Sequence, residues 1–185
     1  MRLIVALTGA SGIIYGVRFL EVCRELGIET DLILSEAGKK ILRMETGREP
    51  REVKGLASRS HEEDELTSPL SSGSHPADGM VIIPCSMKTL ACVAGGIGGN
   101  LITRAADVML KQGKPLVLVP RETPLNLIHL ENLVRVKRAG AVVLPACPAF
   151  YHGPKGIPDL VDFVVGKVLD VLGVEHRLYR RWGGE

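Results

Sequence analysis

Residues 84–89, "PCSMKT", put a thiol, two hydroxyls and an ammonium directly behind the apolar run "GMVII". Three uses fit that set: Cys85 as a nucleophile, the hydroxyls and Lys88 as a phosphate cradle, or the whole as a polar turn closing a buried strand. A helix beginning near Lys88 places Ser86 at its N-cap and Thr89 in its first turn, where hydroxyls and free amides suit an anion. A thiol nucleophile needs a nearby base to lower its pKa, and no histidine in the sequence is evidently placed to serve. The phosphate cradle is therefore favoured, and Cys85 is read as structural.

Other stretches carry comparable groups. "TGASG" (8–12) opens a helix, so Gly9, Ala10 and Ser11 can offer amides and a hydroxyl to an anion, with a tight strand-to-helix turn as the plain alternative. Its glycines fall at 9, 12 and 16, which does not spell G-x-G-x-x-G and argues against a dinucleotide pyrophosphate grip. "PRETP" (120–124) sets Arg121 and Glu122 between prolines that stiffen the backbone. Adjacent residues in an extended segment point to opposite sides, so these two need not pair with each other. "PACPAFYHGP" (145–154) holds Tyr151 in a proline-stiffened loop, and "GGIGGN" (95–100) lets backbone approach a ligand or another subunit. Arg104 and Lys111 share a helix face with Asp107 between them; spacing alone reads as a solvated ladder worth about 0.3–0.5 kcal/mol per pair.

These groups need elements to position them. Short apolar runs at 3–7, 30–35, 80–84, 115–120 and 141–145 predict five strands buried on both faces, as in a parallel sheet. Helical periodicity covers 13–26, 36–46, 101–112 and 126–139, each stopped by a glycine (27, 47, 113, 140), and a last helix runs from Pro158 towards Gly173. Regular strand–helix alternation predicts an α/β, doubly wound, mainly parallel sheet of Rossmann-like or flavodoxin-like type, forming a single domain over 1–185. The carboxyl ends of its strands lead into "TGASG", "SEAG", "PCSMKT", "PRETP" and "PACPAFYHGP", so the chemistry collects on the ligand edge of such a sheet. The interruption is a polar connection at 47–79, read either as an exposed or disordered loop or as a flap over the active site.

Composition narrows the classes. The chain has 185 residues, 45% hydrophobic and 24% charged, and 23 basic against 21 acidic residues leave a net charge of +2, no footprint for nucleic acid. Its 4 cysteines are dispersed without C-x-x-C, so neither a disulfide framework nor a zinc site is expected, and a cytoplasmic setting fits. The histidines show no ligand spacing, so no metal is expected. The apolar start "LIVAL" is too short for a signal segment or a membrane span.

Taken together, "TGASG", "LSEAG", "GMVIIPCSMKTLA", "VPRETPL" and "GAVVLPACPAFYHGP" resemble the flavin prenyltransferase family, the UbiX type formerly described as aromatic-acid decarboxylases. The resemblance runs in family order from Met1 to "RRWG". It implies an enzyme that joins the dimethylallyl group of dimethylallyl monophosphate to N5 and C6 of reduced FMN, without a metal, in a homododecamer, to supply a UbiD-type decarboxylase with prenylated FMN. Position by position it implies that Gly9, Ala10, Ser11, Ser35, Ser86, Met87, Lys88, Thr89 and Arg121 bind FMN. Tyr151 and Lys167 would hold the prenyl phosphate with Arg104 and Lys111 as further cations, which overrides the ladder reading. Glu122 would be the base that accepts the proton lost on ring closure, a task the departing phosphate can share, and Glu45 a further catalytic position. Trp182, in the family's C-terminal "RRW", would cap a site on a neighbouring subunit. Two rivals remain: an FMN-dependent cysteine decarboxylase of the same fold, disfavoured by "PAFY" where those enzymes carry P-x-M-N and by the lack of histidine before His61, and, from a different class, a non-catalytic flavin carrier or electron-transfer module.

Overall fold

The computed structural model describes residues 1–183. The predicted runs become β1 (Arg2–Leu7), β2 (Glu29–Leu34), β4 (Gly79–Cys85) and β5 (Leu116–Pro120), with β3 (Arg59–His61) and β6 (Val142–Val143) at the edges. All pairings are parallel, in the order β3-β2-β1-β4-β5-β6. Between them lie α1 (Ile13–Glu25), α2 (Glu36–Thr46), α3 (Pro50–Lys54), α4 (Met87–Ala94), α5 (Leu101–Lys111) and α6 (Leu127–Arg138), and α7 (Ile157–Val171) follows β6. The glycine stops hold: Gly47 follows α2 at φ +67°, a left-handed conformation that costs glycine no steric penalty.

Strand alternation divides the core. Leu3, Val5 and Leu7 of β1 face a cluster built with α1, α2 and α7, whereas Ile4 and Ala6 face one built with α4, α5 and α6. The layer an active-site side chain occupies thus follows from its helix. Run 141–145 departs from expectation: only Val142 and Val143 join the sheet, and both are half-buried. They form an edge strand, and beyond them Leu144 and Ala146 donate to Leu118 O and Pro120 O as the chain turns out.

The connection 47–79 is structured. It carries α3, β3 and a 3-10 turn (Pro69–Ser71), with Val53, Leu70 and Ala77 buried beneath. β3 reads "RSH", too short and polar to announce a strand. It is pinned by Asp31, 2% exposed on β2, whose two carboxylate oxygens each have an imidazole at 3.3 Å, from His61 and His75. Ser68 Oγ lies 3.0 Å from His61 Nδ1, completing a Ser–His–Asp line. Ser68 is only 3% exposed and accepts from the Leu70 amide, so the line fastens the connection rather than opening to a substrate. Asp31→Ala strips both histidines of their acceptor and is expected to cost about 2–3 kcal/mol in urea unfolding, with the loss concentrated in protection of amides 59–77.

Candidate active site

The carboxyl edge of the sheet is built by short-range capping and three long-range ties. Ser35 caps α2, its Oγ accepting from Gly38 N at 2.9 Å, and Ser86 caps α4, its Oγ accepting from Thr89 N at 3.2 Å. Thr8 joins the ends of β1 and β4: its hydroxyl donates to Pro84 O at 2.7 Å and accepts from Ser86 N at 2.8 Å. Gly9 lets α2 approach, since a Cβ there would lie 2.4 Å from that of Ala37. Arg121 Nε donates to Ser11 O at 3.0 Å, drawing the loop after β5 to the loop after β1. Ser11, Ser35, Ser86, Met87, Lys88, Thr89 and Arg121 therefore share one rim, with Gly9 and Ala10 in its wall. Hydroxyls, amides at the N-terminus of α4, an ammonium and a guanidinium form a donor set that fits a phosphorylated, hydroxyl-rich ligand such as FMN.

One feature differs from the anion site expected at α1. Glu45, from the end of α2, places its carboxylate on the first amides of that helix, 2.9 Å from Gly12 N and 3.0 Å from Ile13 N. The N-terminal position of α1 is thus filled by the chain's own anion, which leaves the N-terminus of α4 as the better place for a phosphate. Glu122 is exposed, and its Oε1 accepts from Thr123 N at 3.0 Å while Arg121 turns away to Ser11, so the two neighbours do diverge.

A second group forms around the C-terminus. Tyr151 meets Phe163 and Trp182 edge-on, with ring centroids at 5.9 and 5.1 Å. His152 stacks on Phe163 at 5.1 Å, and both its ring nitrogens are buried with no hydrogen-bond partner among the described residues. Lys167 stands 3.4 Å from Asp170 on the same helix. Tyr151, Arg180, Arg181, Trp182 and Gly183 line a cavity of about 340 Å³. Its aromatic wall and cations suit an apolar tail on an anion.

Arg104 and Lys111 lie elsewhere. They belong to α5, whose buried face packs in the layer opposite to α7, so within one copy they do not join Tyr151 and Lys167. Arg104 pairs with Asp107 at 3.4 Å and donates to Ser71 O at 3.2 Å. Lys111 is exposed. Cys85 is fully buried, and burial pushes its thiol up to about 12, far from a thiolate at neutral pH. Cys85→Ala is expected to keep at least about half of parental turnover, the usual outcome for a small, chemically idle core group; loss of turnover with FMN still bound would restore the thiol to the chemistry. Sequence reading missed Thr8, Asp170 and Arg181. Only the i, i+3 spacing of Lys167 and Asp170 offered a signal. Among the described residues, no three His, Cys, Asp or Glu side chains are grouped to hold a metal ion, and no helix is long and apolar enough to cross a membrane.

A family model described as Flavoprotein matches residues 1–169. The chain is 50% identical to the flavin prenyltransferase UbiX of Methanothermobacter thermautotrophicus, covering 99% of this chain and 96% of that protein. The structure of AnUbiX (PadA1) in complex with FMN and dimethylallyl pyrophosphate superposes with a TM-score of 0.97 at 46% identity, over 100% of this chain and 98% of that one. A dodecameric FMN-dependent UbiX-like decarboxylase from Escherichia coli O157:H7 matches equally, with a TM-score of 0.97 at 48% identity over the whole of both chains. The peptidyl-cysteine decarboxylase EpiD, at 19% identity and a TM-score of 0.64, shares the fold alone. With strand order, carboxyl-edge rim and full-length identity in agreement, the chain belongs to the Flavoprotein family and, within it, to the flavin prenyltransferases of the UbiX type.

Proposed function

We propose that this protein joins the dimethylallyl group of dimethylallyl monophosphate to N5 and C6 of reduced FMN, giving prenylated FMN for a UbiD-type decarboxylase. The observation that carries the reading is the single rim on which Ser11, Ser86, Thr89 and Arg121 meet, on a chain that matches flavin prenyltransferases from end to end. Reduced FMN supplies the nucleophilic nitrogen and the ring carbon. Ser86, Met87, Lys88 and Thr89 hold its phosphate at the N-terminus of α4, and Gly9, Ala10, Ser11, Ser35 and Arg121 line the rest of its site.

Lys167 and Tyr151 take the donor phosphate. Charge accumulates on that group as its bond to the allylic carbon lengthens, and one cation at about 4 Å offsets roughly 4 kcal/mol at an effective dielectric near 20, before desolvation costs. Several fixed cations thus do work that a metal ion does elsewhere. Glu122 accepts the proton released on ring closure, shared with the departing phosphate. Glu45 holds the first turn of α1 beside the site.

Arg104 and Lys111 reach the donor only from another copy of the chain, so the active site lies between subunits. The exposed apolar face of α6, with Leu127, Ile128, Leu130 and Val134, supports a homo-oligomer, and the dodecameric relative supports twelve copies. The chain works in the cytoplasm as a single domain, and its 47–79 connection, which packs over α5, serves as the flap on that side. Anaerobic incubation with reduced FMN and dimethylallyl monophosphate, followed by mass spectrometry of the flavin, tests the reading. Gain of one dimethylallyl unit is expected; an unchanged flavin on folded, FMN-loaded protein refutes it in favour of a carrier.

A further inference from the structure

Four donors converge on the carboxylate of Asp170 near the end of α7. His176 Nε2 stands 3.1 Å and Arg181 Nη2 2.7 Å from Oδ1; the Tyr179 hydroxyl donates to Oδ2, with Lys167 Nζ at 3.4 Å. Three of these donors come from the strap 174–183, which folds back along its own helix. Burial pushes the Asp170 carboxyl up, but donation from Tyr179, Arg181, His176 and Lys167 outweighs it and holds the group down at about 2.

Gly166 records the same approach independently. It sits inside α7, where glycine is unfavourable, yet a Cβ there would meet Tyr179 Cε1 at 2.6 Å and His176 Cε1 at 2.7 Å. The strap can lie on the helix only because that side chain is absent.

Docking changes the charge beside the donor site. Lys167 and Asp170 alone make a neutral pair, a poor seat for a phosphate. Arg181 adds a second cation, so the two fixed cations outweigh the one carboxylate and leave a net positive charge. The Tyr179 ring lies between them, 5.9 Å from Lys167 Nζ and 5.9 Å from the Arg181 guanidinium carbon. The strap also carries Trp182 to Tyr151, which closes the aromatic side of the cavity of about 340 Å³.

We propose that Asp170 is a positioning residue: through Tyr179 and Arg181 it clamps the C-terminal strap onto α7, and so gives the cavity lined by Tyr151, Arg181 and Trp182, beside Lys167, the net positive charge and aromatic wall that bind a prenyl monophosphate. This rests on the function proposed above. Binding and docking are then reciprocal, and dimethylallyl monophosphate tightens the strap.

Amide hydrogen exchange of 174–183 and calorimetric titration of the FMN-loaded protein with dimethylallyl monophosphate test the clamp without requiring turnover. In the parent, the donor is expected to slow exchange in the strap. Asp170→Asn removes the charge and Gly166→Ala lifts the strap sterically. Each is expected to speed strap exchange and to weaken donor binding about ten-fold, the size of one lost charge-assisted hydrogen bond. FMN affinity should stay at the parental value, and kcat at saturating donor within about two-fold, a split that general loss of structure does not produce. Should one variant fail to hold FMN, the other decides. Unchanged strap exchange in the variants, a freed strap with parental donor affinity, or no donor binding by the parent overturns the clamp. A parent that binds the donor and protects the strap but leaves the flavin mass unchanged refutes the proposed function and leaves the clamp standing.

Discussion

Glu122→Gln is expected to leave FMN binding intact and to lower kcat by about a hundred-fold or more, the usual contribution of a positioned general base. The substitution is nearly isosteric, and the amide oxygen can still accept from Thr123 N, as Glu122 Oε1 does at 3.0 Å, so the loop after β5 keeps its form. The Arg121–Ser11 tie is untouched, because the two neighbouring side chains diverge. What disappears is the capacity to take a proton. Prenylated flavin formed per unit time at saturating donor measures the effect. Turnover at the parental rate would transfer the whole of that task to the departing phosphate.

Lys167→Ala should act on the other half of the reaction. The lost ammonium is worth about ten- to a hundred-fold in donor KM, on the scale of one hydrogen bond to a charged group, while FMN affinity is unchanged. The flavin rim and Lys167 are built by different elements: the rim by the loops after β1, β2, β4 and β5, the lysine by α7. Steady-state kinetics with varied dimethylallyl monophosphate, beside an FMN titration, separates the two. Equal loss of both ligands would mean that Lys167 supports the fold and not the donor. Lys167→Arg should keep donor KM at or below the parental value, since a planar guanidinium fork holds a phosphate more precisely than a point charge on a flexible stem.

Much of the fold, and the capping at the start of α4, can be read along the chain. β1, β2, β4 and β5 and their helices follow from apolar periodicity and glycine stops. Ser86 at the cap of α4, with Thr89 in its first turn, follows from residue type and spacing. The short edge strand β3 does not, since "RSH" is polar and mostly exposed, and its place beside β2 is fastened by Asp31, which meets His61 of β3 and His75 from chain positions far away. Val142 and Val143 were legible as β-formers but not as an edge, because edge position depends on what lies beside a strand.

The sequence by itself determined the local grammar: where strands and helices run, which hydroxyls cap them, and that the polar loops follow strand carboxyl ends. Those properties arise from interactions within a few residues, which residue order specifies directly. Only the tertiary structure decided that Glu45 fills the N-terminus of α1, that Arg104 and Lys111 lie in the layer opposite Lys167, and that Asp170 gathers the strap beside it. Each of these depends on which faces the folded sheet brings into contact, and Coulomb and hydrogen-bond energies reward such meetings only at separations of a few ångströms, whatever the distance along the chain.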